Sequence, residues 1–209
     1  MTAKLAKIIY ASPEKSSDIL YATKFHAPDS VLYFETEGSK TLCVSPLEYD
    51  RALKTCGKFM KVIEAGNESV IKTISDLCKN SNVEKISTPF DFPAGLAMAL
   101  ISEGFRIFPK SGSFFPERSV KNKDEVKRVR NALKIAESAM RKAENILAES
   151  SVSKGRILIW HGEVLTSEIL RRMIDVDISS NGATAKDTIV ACGTDSSEPH
   201  NVGHGPLKA

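Results

Sequence analysis

The sequence lacks a strong excess of charge of either sign. Its 29 lysine and arginine residues stand against 26 aspartate and glutamate residues, a net charge of +3 over 209 residues. A balance this even does not by itself predict binding to nucleic acid or to a membrane surface. No apolar run approaches the length of about 20 residues that a membrane-spanning helix needs. We therefore expect no membrane and no nucleic-acid partner.

Cysteine is scarce and scattered. The four cysteines form no C-x-x-C pair, and no signal peptide precedes them. Each lies in an apolar stretch, so we expect reduced core thiols of a cytoplasmic protein. A composition of 42% hydrophobic and 26% charged residues argues against disorder. The cysteines are Cys43, Cys56, Cys78 and Cys192.

Several common catalytic and nucleotide-binding motifs are also missing. The sequence contains no G-x-S-x-G elbow, no Walker loop and no G-x-G-x-x-G fingerprint. No histidine near the first three cysteines marks one of them as a nucleophile. Function must therefore be sought in the order of the elements and in the histidines.

Strand-like and helix-like segments alternate over residues 1–116, which predicts a compact α/β domain. Ser45 and Glu48 have capping-box spacing ahead of one predicted helix, and Asn67 is the predicted cap of the next. The predicted strands are AKIIYA, VLYFET, GSKTLCVS, VEKIST and FRIFP, and the predicted helices are SPLEYDRALKTCG, NESVIKTISDLCKN and FPAGLAMALISEG.

The longest periodic stretch follows, and it predicts a helix that begins after Asn122. Asn122 and Glu125 have capping-box spacing. Seven apolar residues recur at steps of three and four and predict one helical stripe against a sheet or another helix: Val126, Val129, Leu133, Ala136, Met140, Ala143 and Leu147. A coiled coil is an alternative for the packing of this helix. Nucleic-acid binding is an alternative for its basic outer face, although the interspersed glutamates favour a face exposed to solvent.

Residues 117–209 otherwise contain little predicted sheet. The segment RILIWHG precedes a second helix with Thr166 as its predicted cap, and TIVACG predicts a strand that ends at Gly193. This is too little sheet to cover both helices. We therefore expect an unfinished domain of low stability.

Two of the four histidines lie near the end of the sequence. His200 and His204 are four residues apart, the spacing of H-E-x-x-H zinc sites. The glycines around His204 and Pro206 make a helix improbable there, and no glutamate lies between the pair. A polar surface loop and a loop that presents His200 as a proton donor or substrate partner are the alternatives.

The other candidates have simpler explanations. His161 fits a structural imidazole at a strand end, and His26 has no evident partner. Asp175 and Asp177 are paired carboxylates that a helix end explains adequately.

The order of these features resembles the creatinase, prolidase and Xaa-Pro aminopeptidase family. DILYATKFHAPDSVLYFETEGSKTLCVSPLEYDRALK is similar to the family's amino-terminal domain, and ERSVKNKDEVKRVRNALKIAESAM is similar to the start of its catalytic domain. LTSEILRRMI is similar to the second catalytic-domain helix, and TIVACGTDSSEPHNVGHGPL to the strand and loop that deliver an active-site histidine after a proline. The resemblance covers essentially the whole chain.

The resemblance implies an α/β creatinase-like domain over 1–116, followed by the first part of a pita-bread (α+β) metallopeptidase domain over 117–209. Such enzymes hold two divalent metal ions on two aspartates, one histidine and two glutamates, and a metal-bound hydroxide attacks the peptide carbonyl. By match to the motif, His200 is the histidine that is not a ligand but hydrogen-bonds the substrate. The resemblance transfers no fixed role to His204.

The sequence departs from the family pattern at the metal ligands. The family's first metal-binding aspartate lies on the strand after the histidine loop, and this sequence stops at Ala209, where that strand would begin. Asp175, Asp187 and Asp195 precede the loop and do not match, so we expect no metal ligand within the chain.

We therefore expect an amino-terminal fragment of a metal-dependent exopeptidase that hydrolyses Xaa-Pro bonds, inactive as 209 residues. Its substrate would be a peptide with proline at the second position, and a homodimer is possible for the whole enzyme. The alternative is a metal-free pseudo-peptidase that binds peptides or proteins.

Overall fold

The computed structural model of the chain describes residues 4–66 and 68–209. They form two compact units, of which the first ends at Val120 and the second begins at Lys121. No helix among these residues combines the length and the apolarity that crossing a bilayer requires.

The first unit is built on one six-stranded sheet. Its strands are β1 (Lys4–Ala11), β2 (Val31–Thr36), β3 (Ser39–Val44), β4 (Lys61–Glu64), β5 (Val83–Pro89) and β6 (Arg106–Lys110). Their order is β4-β3-β2-β1-β5-β6, with β2 antiparallel to both of its neighbours and the remaining pairs parallel. Strands β2 and β3 form a hairpin, and Gly38 takes the left-handed conformation (φ +81°) that its turn requires.

Four helices cover the two faces of this sheet. They are α1 (Ser17–Thr23), α2 (Pro46–Cys56), α3 (Val70–Asn80) and α4 (Ala94–Ser102). Residues of α1 and α2 pack with Ile9, Tyr33 and Leu42, whereas residues of α3 and α4 pack with the adjacent strand residues Ile8, Leu32 and Cys43. Since neighbouring residues of a strand point to opposite faces, the sheet separates two cores. The α/β prediction is confirmed.

Two short elements and one capping bond of the first unit were not predicted correctly. The sequence reasoning missed α1 and β4, which are only seven and four residues long. Ser45 precedes α2, but its side chain makes no capping bond, and Glu48 pairs with Arg51 instead. The predicted cap Asn67 lies outside the described residues, and the hydroxyl of Ser69 caps α3 by accepting from the Lys72 amide.

Three of the four predicted core thiols are confirmed as buried and free. Cys43, Cys56 and Cys78 are buried, and Cys192 is half-buried. Burial raises the pKa of Cys56 to about 11 and that of Cys78 to about 12. These two thiols therefore stay protonated at neutral pH, as expected for packing residues.

The second unit has two helices and a very small sheet. Its elements are α5 (Lys123–Glu149), β7 (Ser151–Val152), β8 (Leu158–Trp160), β9 (Glu163–Val164) and α6 (Ser167–Ser180). The three strands form one antiparallel sheet in the order β7-β8-β9. The predicted capping box of Asn122 and Glu125 is confirmed, and so is the Thr166 cap, whose hydroxyl accepts from the Ile169 amide.

The predicted strand TIVACG is wrong. Residues 188–193 contain no strand, although the Val190 amide donates to the carbonyl of Val202 at 3.1 Å. Val and Ile favour strands, but a strand exists only where a neighbouring strand supplies a row of hydrogen bonds.

The predicted contact face of α5 is also largely wrong. The buried residues of α5 are Ala139, Ala143 and Ile146, and only Ala143 belongs to the predicted stripe. Five stripe residues are substantially exposed, at 36–61% of their surface: Val126, Val129, Leu133, Met140 and Leu147. The apolar residues of α5 form an arc around the helix that is wider than the face in contact with α6 and β8. The periodicity therefore located this arc but not the part of it that is buried.

Candidate functional site: the histidine loop

The segment Gly193–Gly205, here called the histidine loop, carries the predicted catalytic residue. It begins as a short 3-10 helix (Gly193–Ser197), which Pro199 and His200 follow. His200 is exposed and has a left-handed backbone (φ +67°) that is uncommon outside glycine. Its imidazole has no hydrogen-bond partner among the described residues and is therefore open to a ligand from solvent.

Arg171 of α6 holds the part of the loop that follows His200. Its guanidinium donates to the carbonyl of Val202 at 2.6 Å and to that of Gly203 at 2.7 Å. The Nε of Arg171 is shielded from solvent and has no partner within the described part of the chain. A guanidinium that gives two charge-assisted bonds to adjacent carbonyls fixes their orientation as well as their position.

Glu168 of α6 holds the end of the same loop. Its carboxylate accepts from the Gly205 amide at 3.1 and 3.3 Å, and the Ser167 amide donates to the Gly205 carbonyl at 2.9 Å. Backbone hydrogen bonds from its own amide and from Gly205, with smaller contributions from Thr166 and His204, lower the pKa of Glu168 to about 2. The carboxylate is therefore ionised throughout the neutral range.

Gly203 is the tightest point of the loop. It is buried, has φ +80°, and a Cβ placed on it would lie 1.9 Å from the Val190 carbonyl oxygen. Only glycine allows this close approach of two backbones. The side chain of Asn201 adds a bond by accepting from the Gly203 amide at 2.9 Å.

His204 lies beside α6 rather than beside His200 in a helical turn. Its Nδ1 is 3.6 Å from Glu168, and its backbone amide donates to Asp195 at 3.2 Å. The H-E-x-x-H alternative fails because the segment is not helical and His200 has a left-handed backbone. Both remaining alternatives, a surface loop and a catalytic loop, fit an exposed His200.

The other candidate residues have structural roles. Asp175 accepts from the Thr188 hydroxyl at 2.6 Å, and Asp177 pairs with Lys142 at 3.0 Å. The His161 ring packs edge-on against Trp160 with centroids 4.2 Å apart. His26 does have a neighbour, since its Nδ1 lies 3.8 Å from Glu14.

The described residues do not fit a two-metal centre. No group of three or more His, Cys, Asp or Glu side chains within residues 4–66 and 68–209 lies close enough together to hold a metal ion. The histidine loop therefore supplies an imidazole and backbone groups, but no ligand set.

Sequence reasoning missed Glu168 and Arg171. The two residues are three apart in the first turns of α6 and therefore share one helical face. That spacing is visible in the sequence, but the groups that the two residues bind are not, because they lie 31 to 37 residues further along the chain.

Comparison with known proteins gives matches among solved structures alone. No family model matches the sequence, and no curated protein matches it. The X-Pro aminopeptidase from Thermotoga maritima aligns with 98% of this chain at a TM-score of 0.79 and 15% identity. The Xaa-Pro dipeptidase from Bacillus anthracis aligns with 98% at 0.80 and 16% identity, and the prolidase from Pyrococcus furiosus with 98% at 0.73 and 18% identity.

The chain spans about half the length of these structures, 55%, 53% and 54% respectively. At 15–18% identity the likeness concerns the fold. The predicted resemblance is confirmed at that level: the chain has the fold that X-Pro aminopeptidases and prolidases share over about half of their length.

Proposed function

We propose that this chain is the amino-terminal part of a metal-dependent exopeptidase that hydrolyses Xaa-Pro bonds. In this proposal residues 1–116 are its creatinase-like domain, and residues 117–209 are the first part of its pita-bread domain. The observation that carries the proposal is an exposed His200 in a loop that Arg171 and Glu168 hold, within the fold of X-Pro peptidases.

The role proposed for His200 is to hydrogen-bond the peptide substrate. An imidazole at a loop tip with no internal partner can donate to a substrate carbonyl and stabilise the charge that develops on its oxygen. The two divalent metal ions and their ligands belong, in this proposal, to sequence beyond residue 209. The 209 residues alone are expected to be inactive, because the described side chains offer no ligand set.

The experiment is peptide hydrolysis by two proteins. One is the 209-residue chain, and the other is the chain extended by the coding sequence that follows Ala209 in its reading frame. Both are assayed with Ala-Pro and with an Ala-Pro-led tripeptide, with and without Mn²⁺, Co²⁺ or Zn²⁺. We expect hydrolysis only by the extended protein, its loss on chelation, and a loss of roughly 10²–10³-fold in kcat for His200→Ala. An in-frame stop codon directly after Ala209 would overturn the proposal.

A metal-free peptide-binding module is the second candidate. The open imidazole of His200 supports it equally, since binding a peptide needs no metal. Calorimetry of the 209-residue chain with Ala-Pro peptides, in the presence of a chelator, separates the two. Saturable binding by the chain, together with no hydrolysis by any extended form, would favour the module.

A further inference from the structure

Two residues of α6, Arg171 and Glu168, make hydrogen bonds to the backbone of the histidine loop. These bonds suggest that both residues have a supporting role at the candidate site. Part of the loop is held by its own contacts, since Asn201 bonds to Glu198 and to the Gly203 amide, and the His204 amide donates to Asp195. In addition, three carbonyl or amide groups within five residues of His200 bond to α6 side chains: Val202 and Gly203 to Arg171, and Gly205 to Glu168.

We propose that Arg171 and Glu168 are positioning residues that fix the direction of the His200 imidazole by clamping Val202–Gly205 onto α6. The proposal rests on the function proposed above for His200. Neither residue needs to touch a substrate. They act through the backbone that immediately follows the histidine.

Geometry explains why a clamp at this point controls His200. Arg171 bonds two carbonyls that lie two and three residues after His200, so the clamp restrains the backbone on the carboxyl side of this histidine. Gly203 fits against Val190 with no space for a side chain, which keeps the clamped backbone from moving towards residues 190–191. The left-handed backbone of His200 is an unfavourable conformation that persists only where the surroundings enforce it.

The charges agree with this role. The Glu168 carboxylate faces Gly205 and His204, with Thr166 at the start of the same helix also bonding to it. Arg171 faces two carbonyls whose partial negative charge a guanidinium satisfies. Two charged residues that share one helical face thus hold three backbone groups of one short segment, at distances of 2.6–3.3 Å.

The chain offers a matched control for Arg171. The next residue, Arg172, is exposed on the same helix and, among the described residues, makes no hydrogen bond or ion pair with the histidine loop. Arg171→Ala and Arg172→Ala therefore remove the same chemical group from adjacent positions. Arg171→Lys keeps the charge and a nitrogen that can donate to both carbonyls, as the single Nη2 of Arg171 does, but it lacks the planar, rigid guanidinium.

The first measurement needs neither metal nor peptide. Backbone ¹⁵N relaxation of the 209-residue chain should show ordered amides at His200, Asn201 and Gly203, with order parameters near those of α6. In Arg171→Ala the order parameters of these three amides should fall below about 0.6, while those of the amides in α5 and β8 stay unchanged. Arg171→Lys should lie between, and Arg172→Ala should match the unchanged chain. An unchanged loop in Arg171→Ala overturns the proposal, and so does loss of order throughout residues 121–209.

The second measurement links the clamp to His200 in the active extended protein. We expect Arg171→Ala to lower kcat by about 100-fold with little change in KM, and Glu168→Gln to lower it less. Since both act through His200, Arg171→Ala should have little further effect in a His200→Ala background. Additive losses would overturn the proposal. If no extended form hydrolyses peptides, the function proposed above fails, but the relaxation result still decides whether the clamp exists.

Discussion

The two units of this chain differ in the size of their sheets and of their buried cores. In the first, helices cover both faces of a six-stranded sheet, and each face has its own buried core. In the second, three strands of two or three residues and two helices enclose one small cluster of buried side chains: Ala143, Ile146, Leu165, Leu170 and Leu207. Much of the apolar arc of α5 remains in solvent.

A unit with little sheet can still hold a loop in a defined conformation. The second unit keeps its shape near the site through hydrogen bonds rather than through a large core. Its last residues are tied back to the chain, because the Leu207 amide donates to Leu165 and the Leu158 amide donates to Leu207, both at 2.9 Å. We expect such a unit to be ordered around the histidine loop and to unfold with a lower free energy than the first.

The strongest test of the comparison is one substitution made in both units. Leu42 is fully buried in the first unit, whereas Leu133 on α5 is 56% exposed. We expect Leu42→Ala to cost about 2–5 kcal/mol of unfolding free energy and Leu133→Ala less than about 0.5 kcal/mol. Urea denaturation separates the units, since all four tyrosines lie before residue 50 and the single tryptophan, Trp160, lies in the second unit. Similar costs at the two positions would show that the α5 stripe is covered.

A pair of glycines tests whether the second unit has a tightly packed point. Gly203 and Gly182 both have left-handed backbones (φ +80° and +76°), but an added Cβ meets the Val190 carbonyl at Gly203 and nothing within 4 Å at Gly182. Gly182→Ala should cost about 1–2 kcal/mol from the backbone alone. Gly203→Ala should cost about 1–3 kcal/mol more, measured by Trp160 fluorescence in urea. Equal costs would mean that the loop moves away from Val190 freely.

Helix caps sharpen the comparison at a smaller scale. The Asn122 side chain accepts from two amides of the first turn of α5, whereas the Ser45 side chain makes no bond to α2. Asn122→Ala should therefore destabilise the second unit by about 1 kcal/mol. Ser45→Ala should change the first unit by less than half of that, and thermal unfolding of each variant measures the difference. A larger loss from Ser45→Ala would show that its hydroxyl does cap α2 in solution.

The smallest expected effect is a dependence of the stability of the second unit on pH in the acidic range. Glu168 has a pKa lowered to about 2, so its ionised form favours the folded state. This contribution is complete above the ordinary carboxyl pKa and is lost as the pH falls from about 5 towards 2. Because the carboxylate is exposed, solvent and salt screen the effect. The unfolding midpoint of the second unit should fall with pH in this range, and less steeply in Glu168→Gln. Identical slopes would remove Glu168 as the cause.

Local signals predicted most of the first unit. Segments rich in Ile, Val, Tyr and Phe located five of its strands, and Pro46, Pro93, Gly57 and Gly104 marked the limits of two helices. The sequence did not reveal α1 or β4, because seven and four residues are too few for a periodic pattern to emerge. It also placed a capping box at Ser45 and Glu48, but the Ser45 side chain makes no capping bond and Glu48 pairs with Arg51.

The site was predictable only in part. Pro199, the glycines and the order of elements singled out His200, and the glycines correctly argued against a helical zinc site. The strand expected at 188–193 did not form, because strand propensity cannot reveal whether a neighbouring strand is present. Glu168 and Arg171 escaped notice because their partners are backbone groups, which every sequence position has and no residue letter marks.

By itself, the sequence determined the local features of this protein: the α/β character of the first unit, the capped start of α5 and the loop that carries His200. These follow from interactions within a few residues, namely side-chain periodicity, caps and backbone restrictions. The tertiary structure alone decided which part of the α5 arc is buried, where Gly203 meets Val190, and which helix clamps the histidine loop. Such contacts join residues far apart in the chain, and their geometry exists only once the chain has packed.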